Sequence, residues 1–188
     1  MEYRLEFITA LELVGRAFNE VVDKGHPRPV IVGGAAVEYY TGGAVVSGDF
    51  DIVTAAETTL VKALMNQGFR TEDRTKHLLR GYYHPDLAIG VEIVGRSLMD
   101  GSADSSRVVV VQISEASGVA MVSVEALIAD RMGQFASTPE GVKAMLDQAT
   151  KLYEFAQHID EAYLDTRIRT ETFGSFDLKY LLARTGKP

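Results

Sequence analysis

Asp49 and Asp51 stand one residue apart in Gly48-Asp-Phe-Asp-Ile52, a stretch whose apolar members read as a strand. Residues two apart on a strand point to the same face, so both carboxylates project together while Phe50 packs on the other side. Two adjacent carboxylates repel. They are tolerated when solvated at a strand end, or when a divalent cation neutralises them, and magnesium takes such oxygen ligands together with substrate phosphates. A plain polar strand edge is the competing reading.

Upstream, Val32-Gly-Gly-Ala-Ala36 puts paired glycines between a strand and a helix. Glycines there let the backbone approach an anion and turn its amides towards it, while the helix N-terminus adds positive potential, so phosphate would fit on Gly33 and Gly34. A simple tight turn would use the same residues. A third carboxylate would complete a two-metal site. Glu92 is the best candidate, because in Gly90-Val-Glu-Ile-Val94 it interrupts an apolar strand where an unpaired charge is expensive. Asp86, beside Pro85, competes with it but reads more simply as a turn former.

The elements that must position these groups follow from periodicity. Leu5, Ile8, Leu11, Val14, Phe18 and Val21 recur every three or four residues, predicting an amphipathic helix over 2–23 that stops at Gly25 and Pro27. Strand, tight turn and helix follow over 29–40, then a strand over 50–53 and a helix over 58–67 closed by Gly68. Residues 69–122 read as β-structure, with strands at 77–83, 88–94, 107–113 and 119–122 and a polar loop at 100–106. The expected sheet is mixed, with five or six strands.

From Ser123 onward the pattern is helical. One helix is expected over 124–135, and a second is expected to start at Ser137-Thr-Pro-Glu140, where a capping-box spacing meets a proline near the first turn. Further helices are expected over 161–170 and 176–184. The expected organisation is therefore a catalytic domain over residues 1–122 and a C-terminal helical region over residues 123–188 packed on it, an α+β architecture without internal repeats.

Composition excludes several classes. The chain has 188 residues, 46% of them apolar, enough for one core with a modest appendage. It has no cysteine, so neither disulfides nor cysteine-type zinc sites exist. The opening residues carry mixed charge and no run approaches the roughly 18 apolar residues of a membrane span, which leads us to expect a cytoplasmic protein without membrane contact. A net charge of −7 argues against extended non-specific nucleic-acid binding, which rests on lysine and arginine.

Taken together, Val32-Gly33-Gly34, the fourteen residues 35–48 and Asp49-Phe50-Asp51-Ile52 resemble the motif of the DNA polymerase β superfamily of nucleotidyltransferases. Glu92 in Val91-Glu92-Ile93 matches the third carboxylate of that family, on a neighbouring strand. The sequence is most similar to the minimal, or AbiEii-like, nucleotidyltransferases, several of which are toxins of toxin–antitoxin pairs: Ser123-Val-Glu-Ala-Leu-Ile-Ala-Asp-Arg131 is similar to their Ser-x-Glu-x-Leu-Ile-x-x-Lys segment, with arginine at 131 in place of lysine. The resemblance covers residues 28 to 135.

The resemblance implies a polymerase-β-like mixed sheet flanked by helices, and a magnesium-dependent transfer of a nucleoside monophosphate from a nucleoside triphosphate such as ATP to an acceptor hydroxyl on RNA, protein or a small molecule. It implies Asp49, Asp51 and Glu92 as ligands of two Mg2+ ions, Glu92 also as general base, and Gly33, Gly34, Ser47 and Arg131 as nucleotide-binding residues. A cognate antitoxin-like protein would be a partner. Many relatives also carry an arginine shortly before the first aspartate, whereas this chain has Val45-Val46-Ser47-Gly48. That departure supports a rival expectation, a catalytically weakened binding module of the same fold. A Rossmann-type dinucleotide enzyme fails because G-x-G-x-x-G spacing is missing. His77, Arg80 and His84, near predicted strands, are further candidates for touching substrate, with a structural role as the alternative for each.

Overall fold

Because its apolar residues fall on one side, Leu5–Asp23 buries Phe7, Leu11, Val14, Phe18 and Val21 completely, forming the first helix, α1, of the computed structural model. Residues 3–72, 81–98, 103–138 and 143–186 are described. The helix expected from residue 2 starts at Leu5, because Arg4 is extended and serves as its N-cap residue.

Two units make up the chain, one of Met1–Ala36 with Val46–Val122, the other of Val37–Val45 with Ser123–Pro188. The segment Val37–Val45 groups with the helical residues and not with the sheet.

In the first unit, the strands among the described residues are β1 (Val30–Val32), β2 (Asp49–Val53), β3 (Arg70–Thr71), β4 (Gly81–His84), β5 (Ile89–Gly95), β6 (Val109–Ser114) and β7 (Ser117–Met121). They form one seven-stranded sheet in the order β3-β4-β5-β2-β1-β7-β6. The pairs β1/β7 and β2/β5 are parallel and the others antiparallel, so the sheet is mixed, as expected. The additional strand is β3, whose two residues are too short to leave a periodic signal. The helix α3 (Glu57–Asn66) packs with α1, burying Leu60, Ala63 and Leu64. Asn66 and Gln67 both donate to the Glu20 carboxylate, at 2.9 and 2.8 Å.

The two faces of this sheet differ. Towards α1 lie Ile31, Phe50, Ile52, Val91, Val119 and Met121, all fully buried. Their register agrees, since Ile31 pairs with both Ile52 and Met121, and Phe50 pairs with Val91. The Phe50 ring stacks on Phe7 of α1 with centroids 5.4 Å apart. The alternate residues of the same strands form the opposite face, which carries the candidate chemistry.

The second unit holds α4 (Val124–Ala136), α5 (Lys143–Phe155), α6 (Glu161–Glu171) and α7 (Leu178–Leu182). Leu127, Ile128, Met132, Leu152, Leu164, Ile168 and Leu181 form its buried interior. Ser123, Asp160 and Asp177 cap α4, α6 and α7 by accepting backbone N–H bonds from Ala126, Tyr163 and Tyr180. Ser137, expected to open a helix, closes α4 as its C-cap residue; Pro139 and Glu140 lie outside the described residues. The helix α2 (Gly33–Tyr40) starts at the paired glycines themselves, two residues before its expected start. Among the described residues no helix is long and apolar enough to cross a membrane.

Candidate active site

Strand alternation puts Asp49 and Asp51 half-buried on the face away from α1, since Phe50 between them is committed to Phe7. Register then brings in Glu92. In the parallel pair β2/β5, Asp51 is opposite Glu92 and Asp49 is opposite Gly90. Residues paired in this way share a face, so the three anticipated carboxylates stand on one side of two adjacent strands, with neighbouring backbones about 4.8 Å apart.

On its other side β2 pairs with β1, and Asp51 is opposite Val32, the last residue before the glycines. This explains Gly33. Its φ of +61° lies in the left-handed region, and a β-carbon there would overlap Asp51 Oδ2 and lie 2.7 Å from Asp51 Cγ. The backbone of the turn therefore lies directly against the Asp51 carboxylate. Gly34 is constrained less severely, since a β-carbon on it would approach Ser47 Oγ to 2.5 Å.

Ser47 thus comes to the glycine turn, and its hydroxyl donates to the Asp49 carbonyl at 2.9 Å. That bond fixes the backbone leading into the first aspartate and leaves the oxygen able to accept. Its carbonyl accepts a 2.7 Å bond from Arg4 Nη2. Arg4 was not anticipated. It comes from 43 residues away, at the start of α1, and no local motif marks it; it supplies a guanidinium next to Ser47.

Asp49, Asp51, Glu92, Gly33, Gly34 and Ser47 all belong to the first unit, whereas Arg131 belongs to the second. Arg131 is buried on α4, where Nη1 pairs with Asp130 at 3.3 Å and approaches Met145 Sδ at 3.9 Å. Burial pushes the Asp130 carboxyl up, and the adjacent Arg131 guanidinium opposes that rise. His84 lies on β4 opposite Ile89, on the face turned away from Glu92, with its ring edge-on to Phe69. Its Nδ1 accepts the backbone N–H of Asp86 at 3.3 Å, which gives both residues the part of turn formers. His77 and Arg80 lie outside the described residues.

Among the described residues no group of three or more His, Asp or Glu side chains is gathered tightly enough to hold a metal ion alone. Magnesium does not require such a cage, because it is commonly held by one or two carboxylates with substrate phosphates and water. Asp49 and Asp51 beside the glycine turn are donors of that type, with Glu92 one strand away.

The fold has solved counterparts. An antigenic nucleotidyltransferase-like protein from Paracoccidioides brasiliensis superposes with a TM-score of 0.62, covering 100% of this chain and 96% of its own, at 15% identity. The chain has the nucleotidyltransferase fold. ANT(2'')-Ia, solved in complex with adenylyl-2''-tobramycin, is similar with a TM-score of 0.56 at 12% identity, covering 87% of this chain and 97% of that one. JHP933 from Helicobacter pylori matches at 0.54 and 16% identity over 90% and 75% of the two chains. No family profile and no curated protein matches the sequence. The nucleotidyltransferase fold is thus carried here by a sequence far from those of its structural neighbours.

Proposed function

We propose that this chain transfers a nucleoside monophosphate from a nucleoside triphosphate to an acceptor hydroxyl. The observation that carries this reading is the contact between the Gly33 backbone and the Asp51 carboxylate, with Glu92 in register beside it. A turn that binds phosphate and a carboxylate that binds a cation are useful together only if one ligand presents both groups, and a triphosphate with its magnesium does so.

In this reading the first-turn amides of α2 at Gly33 and Gly34 hold the terminal phosphates, since amides there lack intrahelical partners. Ser47 Oγ lies against Gly34 and adds a contact to the same phosphates. Arg4 braces Ser47 through its carbonyl. Magnesium held by Asp49 and Asp51, with a second ion shared with Glu92, would offset the charge of the departing pyrophosphate and make the acceptor hydroxyl more acidic. As the acceptor oxygen bonds to the α-phosphorus, the bond from that phosphorus to the bridging oxygen breaks, and Glu92 takes the hydroxyl proton. The adenylyl-2''-tobramycin in ANT(2'')-Ia is a small molecule bearing such a transferred group, which supports a similar reaction here.

The test is incubation of the protein with each α-labelled nucleoside triphosphate and magnesium, with cell extract as acceptor source, beside an Asp49→Ala/Asp51→Ala control. Label moved by the wild-type chain and not by the control is the expected result. No transfer together with no calorimetric nucleotide binding would replace this reading with a non-catalytic binding module.

A further inference from the structure

Next to the carboxylates, on the same face of the sheet, lies a cavity of ≈ 560 Å³, within the usual range for small-molecule sites. Its floor is one cross-strand row, in which Val53 of β2 pairs with Val30 of β1, Val30 with Ala120 of β7, and Ala120 with Val110 of β6. The row that holds Asp51 and Glu92 is two residues further along β2, about 6.6 Å away at 3.3 Å per residue.

The rim of the cavity is cationic. Arg28 is held there by Nη1 bonds of 2.7 Å to Asn19 Oδ1 and to the Gly118 carbonyl. Arg96 is exposed and, among the described residues, it has no hydrogen-bond or ion-pair partner and no carboxylate lines the cavity. An apolar floor with arginine at its mouth is complementary to a compact apolar body bearing a negative group, and it repels a polycation. We infer that this cavity is the acceptor site, and that the acceptor is a small hydroxyl-bearing molecule with an apolar body and an anionic group that pairs with Arg96. The inference rests on the nucleotidyl-transfer reading, because it is the distance to Asp51 that makes the occupant a substrate.

Two measurements separate the site from the reaction. First, the full chain is titrated with anilinonaphthalene sulfonate, an apolar anion, and with an aminonaphthalene of similar size carrying a quaternary ammonium. Saturable binding of the anion at one site is expected, at least tenfold tighter than the cation. Arg96→Glu and Val110→Glu, both at exposed positions, should weaken it tenfold or more, and Asp51→Asn should leave it unchanged. Equal affinity for the two probes, or no change with Arg96→Glu, would overturn the inference. Second, cell extract is divided into anionic, neutral and cationic small molecules before incubation with labelled nucleotide. Label accepted by the anionic fraction, and reduced by Arg96→Glu through the acceptor KM and not the nucleotide KM, supports the inference. Label accepted only by the other fractions would overturn it and leave the transferase intact. Intact probe selectivity without transfer to any fraction would overturn the acceptor role, and only if joined by a loss of calorimetric nucleotide binding would it overturn the transferase reading as well.

Discussion

Asp51 and Glu92 face each other across the parallel strands β2 and β5, and their register places both carboxylates on the side of the sheet that α1 leaves uncovered. Neither side chain belongs to the packed face, so removing its charge should not unfold the protein. Asp51→Asn should retain the wild-type circular dichroism and lower the transfer rate about a thousandfold, the loss of roughly 4 kcal/mol of transition-state stabilisation. Glu92→Gln should reduce kcat by about 10²–10⁴, as expected for a lost proton acceptor. A fully active Asp51→Asn chain would remove this aspartate from the site.

Gly33 allows a different test, because its conformation and its neighbour both forbid a side chain. Gly33→Ala must either strain a residue held at φ +61° or displace Asp51. Thermal unfolding should show a loss of about 1–3 kcal/mol. Nucleotide binding should fall with it. An alanine variant as stable as wild type would show that the turn relaxes freely.

Arg4→Ala removes the bond to the Ser47 carbonyl, and Arg4→Lys keeps the charge while losing the planar fork. Steady-state kinetics should show an approximately tenfold rise in nucleotide KM for Arg4→Ala, equivalent to about 1.4 kcal/mol, with partial recovery in Arg4→Lys. Unchanged KM in both variants would leave Arg4 as a capping residue of α1 alone.

In the helical unit, burial first, then the 2.7 Å bond and the nearby charge of Glu161, push the Tyr153 hydroxyl up to about 12. A raised pKa in the folded state means that the stabilisation is complete below the ordinary tyrosine value near 10 and is lost as pH rises towards 12. Alkaline denaturation should therefore steepen over pH 10–12 in wild type, and Tyr153→Phe should flatten that window. Identical profiles would separate Tyr153 from alkaline unfolding.

Much of the site could be read from order alone, because it depends on local rules. Asp49 and Asp51 share a face through strand alternation, and Gly33-Gly34 sit where a strand turns into a helix. Glu92 was legible as a charge in an apolar strand, although its partnership with Asp51 needed the parallel register of β2 and β5. The remainder is set by long-range pairing, which leaves no periodic trace. Nothing near Arg4 points to Ser47, and nothing near Val110 points to Val53, since three strand pairings intervene. The segment 37–45 is continuous in sequence with the glycine turn, yet it groups with helices that begin at Ser123.

The pairing of β1 with β7 also bears on how the protein is made. Val30 meets Ala120, ninety residues further along the chain, whereas its contact with Val53 spans only twenty-three. During synthesis the β1/β2 pair can form early, with the edge of β1 open until Met121 has left the ribosome. At about 5–20 residues per second that wait lasts several seconds or more. Closing so long a loop is entropically costly and gives a high contact order, so folding of the sheet should be slow compared with its helices. The nascent chain would carry an unpaired apolar strand during that interval, so slower translation should lower the soluble yield and a holding chaperone should raise it.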